Sequence, residues 1–213
     1  MMALGAWGTL TWGAETVTGD AAATVVLFDG SSLDDWKPHD AGASGNVELQ
    51  DGQMIIGTGE SLSGAIFKKV EKLPVTNYEI TLEAMRLEGL DFFCGLTFPV
   101  GDLKKCLTLV LGGWGGSVTG LSSIDGLDAS ENSTGHYRRF EDKKWYRVKL
   151  RVTDANVSVW SNDEKIIDAD IAGKKIGVRP GPIEDYVPLS LTTYQTTAAI
   201  RNIKLTRLPN AGK

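Results

Sequence analysis

The stretch NYEITLEAMR, residues 77–86, decides the fold. Tyr78, Ile80, Leu82 and Ala84 fall on one face, and Glu79, Thr81 and Glu83 fall on the other. A helix repeats every 3.6 residues and a strand every two. Strict alternation therefore predicts a strand with one buried face, as in an antiparallel sheet.

The same period runs outward in both directions. In YRVKLRV (146–152), Tyr146, Val148, Leu150 and Val152 point inward. A tight turn at Asp154-Ala155 joins this strand to NVSVWSN (156–162), which predicts Val157 opposite Val152 and Val159 opposite Leu150. A further turn at Asn162-Asp163 leads into EKIIDADI (164–171), completing a meander. Its outward row holds Trp145, Arg147, Lys149, Arg151 and Trp160. Asp51-Gly52, inside NVELQDGQMIIG (46–57), is a hairpin signal. The stretch FFCGLTFPVGDLKKCLTLVLGG (92–113) carries two apolar rows: Phe92, Cys94, Leu96 and Phe98, then Leu107, Leu109 and Leu111. Pairing them places Leu96 opposite Leu107 and Cys94 opposite Leu109. Cys94 then faces the core and Cys106 the other side, so no disulfide joins them.

No stretch has a convincing helical period. Turn signals recur about every eight to twelve residues, the spacing of a sandwich or jelly roll. The expected organisation is an all-β domain over 24–208, between an N-terminal stretch 1–23 and a short C-terminal tail 209–213. The apolar run Met1–Ala14 has no Lys or Arg and is too short to span a bilayer. It reads as a tail or the remnant of a signal peptide, and no later segment is long enough for a transmembrane span. The net charge of −5, without runs of one sign, argues against nucleic-acid binding. Two histidines and two cysteines without a CxxC pattern argue against a zinc site.

LFDGSSLDDWK (27–37), VELQDGQMIIGTG, NYEITLEAMR, KKWYRVKLRV, VSVWSNDEKIID and AAIRNIKLTRL (198–208) follow one another in order. Together they resemble the family once labelled domain of unknown function 1080, described as 3-keto-disaccharide hydrolase-like. The resemblance implies a concanavalin A-like jelly roll of two antiparallel sheets and a sugar ligand on its concave sheet. It also implies export to the periplasm or cell exterior. Two departures stand out. Phe93 and Cys94 occupy the places of a family Asn and Ser. Thr108 and Val110 stand where a family Glu and Gln would face the groove, and neither can do acid–base chemistry.

Glycoside hydrolysis usually needs two carboxyl groups with separate roles. A 3-keto sugar offers another route, because the ketone acidifies the neighbouring C–H; one base starts elimination and a cation or donor holds the enolate. Glu83 and Asp91 are a candidate carboxylate pair across a hairpin, and His136 is a candidate base. Trp114, flanked by four glycines in LGGWGGSVTG (111–120), is the candidate platform for a sugar ring. It continues the outward phase of Thr108, and its glycines clear the floor around it. Thr108, Asp125 and Arg138 are the further candidate ligand contacts, with the 125–132 segment as a rim. Asp125, Asp128 and Glu131 are candidate oxygen ligands for Ca2+; no other cofactor is assigned. The remaining aromatics, Trp36, Trp145 and Trp160, read as scaffold packing, two of them beneath Arg and Lys stems. Arg201 shares the apolar phase of Ile203 and Leu205 and is expected inward in an ion pair. The ligand expected is a small molecule or oligosaccharide. A 3-keto-disaccharide hydrolase-type enzyme, a non-catalytic carbohydrate-binding module and an envelope-surface structural protein all remain open.

Overall fold

The computed structural model describes residues 23–40 and 42–209. Residues 1–22, which hold the expected tail or signal remnant, and residues 210–213 lie outside them. In chain order the strands are β1 (Thr24–Phe28), β2 (Trp36–Asp40), β3 (Val47–Gln50), β4 (Gln53–Ile56), β5 (Leu62–Phe67), β6 (Tyr78–Gly89), β7 (Cys94–Asp102) and β8 (Lys105–Gly112). Then come β9 (Val118–Ser122), β10 (His136–Tyr137), β11 (Tyr146–Val152), β12 (Asn156–Ser161), β13 (Glu164–Asp170), β14 (Ser190–Tyr194) and β15 (Thr196–Arg207). One sheet runs β13-β12-β11-β6-β15-β4-β3, with β1 also paired to β15; the second runs β10-β9-β8-β7-β14-β5-β2. The pairing is antiparallel, and the two sheets close on one core as a jelly-roll sandwich. Tyr78, Ile80, Leu82, Leu150 and Val159 enter that core from the first sheet; Phe67, Leu96, Leu109 and Leu191 enter it from the second.

The alternation in β6 and β11 translates directly into burial, and the predicted meander register holds: Val152 faces Val157 and Leu150 faces Val159. Asp51 (φ 51°) and Gly52 (φ 74°) make the expected hairpin turn between β3 and β4. Both residues need positive φ there, which Asp tolerates and Gly favours. Trp36 is buried, and its indole N–H donates to the Leu27 carbonyl at 2.9 Å. Trp145 lies beneath Arg201, and Trp160 beneath Lys149, Arg151 and Lys165.

Three expectations are corrected. The β7–β8 register is offset by two residues: Leu96 faces Leu109, and Cys94 faces Leu111. The turn lies at Leu103-Lys104, beyond the expected one, and a bulge between Pro99 and Asp102 separates it from the regular pairing. An even shift keeps every side chain on its face, so Cys94 stays in the core and both thiols are free. Second, Phe93 rather than Phe92 joins the core, because regular pairing in β7 begins only at Cys94. Third, Arg201 does not point inward. Asn202 adopts φ 56° at a bulge in β15, which reverses the phase between Ile200 and Ile203. Arg201 therefore stacks on Trp145 (4.0 Å) and pairs with Glu83 (2.6 Å) on the outer surface.

Candidate functional site

The outer face of the second sheet carries small side chains along its middle strands. Thr97 on β7 and Thr108 on β8 are cross-strand partners with hydroxyls 2.9 Å apart, and Ser122 on β9 faces Thr108. Gly95 on β7 faces Val110 on β8. A Cβ on Gly95 would lie 2.4 Å from the Thr192 hydroxyl and 2.9 Å from the Phe92 ring, so this glycine serves protein packing.

A strap, residues 177–188, crosses this face. At one side the Ser123 N–H donates to the Gly177 carbonyl (2.7 Å) beside β9. At the other, the Tyr186 hydroxyl donates to the His39 carbonyl (3.2 Å) on β2, the edge strand. The strap thus runs across the strands. Between these anchors Pro182–Tyr186 forms a 3-10 turn. Its Ile183 and Tyr186 pack with Leu62, a small apolar cluster separate from the main core, against Phe92, Val178 and Tyr194. Burial pushes the Tyr186 hydroxyl above its ordinary pKa.

Beside the strap a cavity of about 450 Å³ stays open. Thr108, Val110 and Ser122 line its floor; Asp91, Phe92, Trp114 and Tyr194 stand around it; Arg179, Pro182 and Ile183 reach it from the strap. Trp114 is 39% exposed. It does not extend β8, which ends at Gly112. It sits in a left-handed turn, with φ/ψ of 50°/56° at Trp114, 77°/28° at Gly115 and φ 97° at Gly116. The glycines fit this turn rather than a cleared floor. Gly115 supplies positive φ in open space, whereas a Cβ on Gly116 would lie 2.8 Å from the Leu90 carbonyl. For a ring-bearing residue the left-handed region costs on the order of 1–3 kcal/mol, so the turn must be held. Asp91 holds it: one carboxylate oxygen accepts the Gly115 N–H at 2.8 Å and the other accepts the Phe92 N–H at 2.8 Å.

Across the cavity, Arg179 Nε pairs with Asp128 Oδ2 at 3.2 Å. The other Asp128 oxygen accepts the Ser122 hydroxyl at 2.9 Å. The guanidinium lies 5.9 Å from the Trp114 ring. Nε anchors the head group, which leaves its two Nη groups for a ligand oxygen.

Of the sequence candidates, Asp91, Trp114 and Thr108 meet at this cavity. Glu83 does not. It lies on β6 in the first sheet, while Asp91 leads into β7 in the second, so no hairpin brings the two together. The chain crosses between sheets at this point instead of turning back within one. His136 and Asp125 line a separate cavity of about 630 Å³ against β13. There His136 Nδ1 is 3.2 Å from the Thr134 carbonyl. Asp125 accepts the Lys175 N–H (2.9 Å) and pairs with Lys174 (3.0 Å), which hold its carboxyl below the ordinary range. Arg138 pairs with Glu164 at 2.9 Å, also away from the Trp114 cavity. The 125–132 segment therefore contributes only Asp128 behind Arg179, because Asn132 Nδ2 folds it back onto the Leu121, Leu127 and Asp128 carbonyls. Of the oxygens considered for Ca2+, Asp128 holds Arg179, Asp125 holds Lys174 and Glu131 accepts the Asp128 N–H at 3.3 Å. Among the described residues no three His, Cys, Asp or Glu side chains converge as a ligand set.

Sequence reasoning missed Arg179, Ser122 and the Phe92–Tyr194 wall. A signal for the strap existed: the aperiodic segment between β13 and β14, which carries Pro180, Pro182 and Pro188, exceeds the usual loop length of about 12–15 residues.

Residues 23–206 match a family model described as 3-keto-alpha-glucoside-1,2-lyase-like domain. No curated protein matches in sequence. Among solved structures, the chain is similar to the Crh5 transglycosylase in complex with NAG, with TM-score 0.60 and 10% identity over 90% of this chain and 86% of that one. A Bacillus subtilis protein of galectin-like fold gives 0.59 and 13%, over 88% and 96%. The carbohydrate binding module CBM66 from Bacillus subtilis gives 0.52 and 11%, over 80% and 94%. At these identities the likeness is one of fold.

Proposed function

The chain belongs to the 3-keto-alpha-glucoside-1,2-lyase-like domain family, and from that premise we propose that it cleaves a 3-keto-glycoside by elimination in the Trp114 cavity. The observation that carries this reading is the meeting of one carboxylate, one guanidinium and one exposed indole over a floor of buried hydroxyls. Paired-carboxylate hydrolysis needs a second acid, and Asp91 is the only carboxylate among the described residues lining the cavity. Elimination needs one base and one cation. The C2–H of a 3-keto sugar is acidified by the C3 ketone. Asp91 takes that proton, Arg179 holds the enolate oxygen, and the electrons return to form C1=C2 as the C1–O bond breaks. The departing alkoxide takes up a proton, and the products are an alcohol and an unsaturated 3-keto sugar. Trp114 packs on the C–H face of the ring.

A second reading, sugar binding without turnover, is favoured by Asp91 itself. Both of its oxygens already accept main-chain N–H groups, so it also serves as a latch of the turn. Incubation with 3-keto-glucosides, followed by mass spectrometry, separates the two. Elimination gives the free alcohol and the dehydrated sugar, and Asp91→Asn lowers the rate at least about 100-fold. Binding without product selects the second reading; neither binding nor product sinks both.

A further inference from the structure

The cavity has two chemically distinct halves. Over β8 and β9 its polar groups gather: Thr108, Ser122 and Arg179 beside Val110, with Asp128 behind them. Over β14 and β5 it is mainly apolar, with Ser61 its one aliphatic hydroxyl. There Tyr194 and Phe92 stack with ring centroids 6.1 Å apart and planes 24° from parallel. Leu62 and Ile183 close the wall within the satellite apolar cluster that the strap forms, apart from the main core. Asp91 and Trp114 stand between the halves, at the head of β7 and the tail of β8. A sugar ring fits the polar half. A second sugar ring in the apolar half would lose water from its hydroxyls against Leu62, Ile183, Phe92 and Pro182, with only the Ser61 and Tyr194 hydroxyls there to pair them, and an unpaired buried hydroxyl is unfavourable. A flat apolar group loses nothing there and gains from burial and from contact with the ring pair.

We infer that the apolar half is an aglycone subsite, and that the preferred ligand is a glycoside of an aromatic alcohol rather than an all-sugar disaccharide. The inference rests on the sugar site proposed above and adds what the sugar is attached to. The strap supplies the selectivity, because Ile183 and Pro182 build the wall that excludes hydroxyls.

Equilibrium binding of methyl glucoside, phenyl glucoside and trehalose tests it, each unoxidised on the unaltered protein and as its 3-keto form on Asp91→Asn, where the proposed elimination does not consume it. The phenyl glycoside binds at least about tenfold more tightly than the methyl glycoside, the effect of burying one aromatic ring, and trehalose binds no better than methyl. Ile183→Thr, which brings a hydroxyl into the wall, and Tyr194→Ala each reduce the ratio of phenyl to methyl glucoside affinity about tenfold. The ranking of ligands on the unaltered protein stands even if a variant fails to fold. If trehalose binds as tightly as phenyl glucoside, or more tightly, the aglycone assignment is overturned and the sugar site stands. If none of the ligands binds, both are overturned.

Discussion

Trp114 illustrates how a single residue links backbone conformation to a site. Its left-handed φ/ψ is costly, and Asp91 and Gly116 keep it in place. Trp114→Gly is expected to leave stability within about 2 kcal/mol of the parent, since the strain that glycine relieves partly offsets the burial lost with a 39% exposed indole. Sugar binding falls at least about tenfold, so unfolding by urea and ligand titration move apart. Gly116→Ala has the opposite profile. Its Cβ meets the Leu90 carbonyl at 2.8 Å and its φ is 97°, so stability drops by roughly 1–3 kcal/mol and the turn shifts; Gly115→Asn, with open space around it, is nearly silent. Glu83 belongs to the other surface. Glu83→Gln costs at most about 1 kcal/mol, because its partly exposed pair with Arg201 is worth little in water, and sugar binding is unchanged. A loss of binding in that variant would revive the carboxylate pair that the sheet order separates.

At the scale of elements the strap matters most. It is a proline-punctuated segment with no ladder of its own, yet it crosses the outer face of the second sheet and reaches Cys106. The Cys106 thiol points to the Leu103 and Pro188 carbonyls (3.4 and 3.7 Å) beneath it. Tyr186 anchors the strap with a fully buried ring. Tyr186→Ala removes that ring at a cost of about 3–5 kcal/mol and frees the strap. The expected readout is faster reaction of Cys106 with a small disulfide reagent at pH 8, while Cys94 in the core stays unreactive. Equal protection of Cys106 in both proteins would mean that the strap is held elsewhere.

The whole sandwich has an alkaline limit. Burial raises the Cys94 thiol from 9.0 to about 12, and burial together with the nearby Asp102 raises Cys106 equally. Tyr78, fully buried, is also raised by desolvation. These groups are neutral when folded and ionise more readily once unfolded. Their contribution is therefore complete below pH 9 and is lost as the pH climbs from 9 towards 12. Urea unfolding across that range should show falling stability. The double variant Cys94→Ala/Cys106→Ala starts lower at pH 7, because of the cavity at Cys94, but has a shallower slope.

How much of this was written in the sequence depends on the range of the interaction. Period two ties each strand residue to a face by parity, so Tyr78–Ala84 and Tyr146–Val152 announced the core, and even the two-residue register offset of β7 on β8 left Cys94, Leu96, Phe98, Leu107, Leu109 and Leu111 on the core face. The turn at Asp51-Gly52 was equally legible, because positive φ is a local preference of those residue types. Trp114, Thr108 and Asp91 were within reach as side chains of one neighbourhood. What the sequence could not hold was the sheet that β7 joins after β6, the bulge at Asn202 that turned Arg201 outward, and the course of 177–188. Those are set by contacts between residues far apart in the chain. Only the packed sandwich parts Glu83 from Asp91 and carries Arg179 to Trp114, because sheet membership and the path of an aperiodic segment are chosen by burial against distant surfaces, which no local pattern encodes.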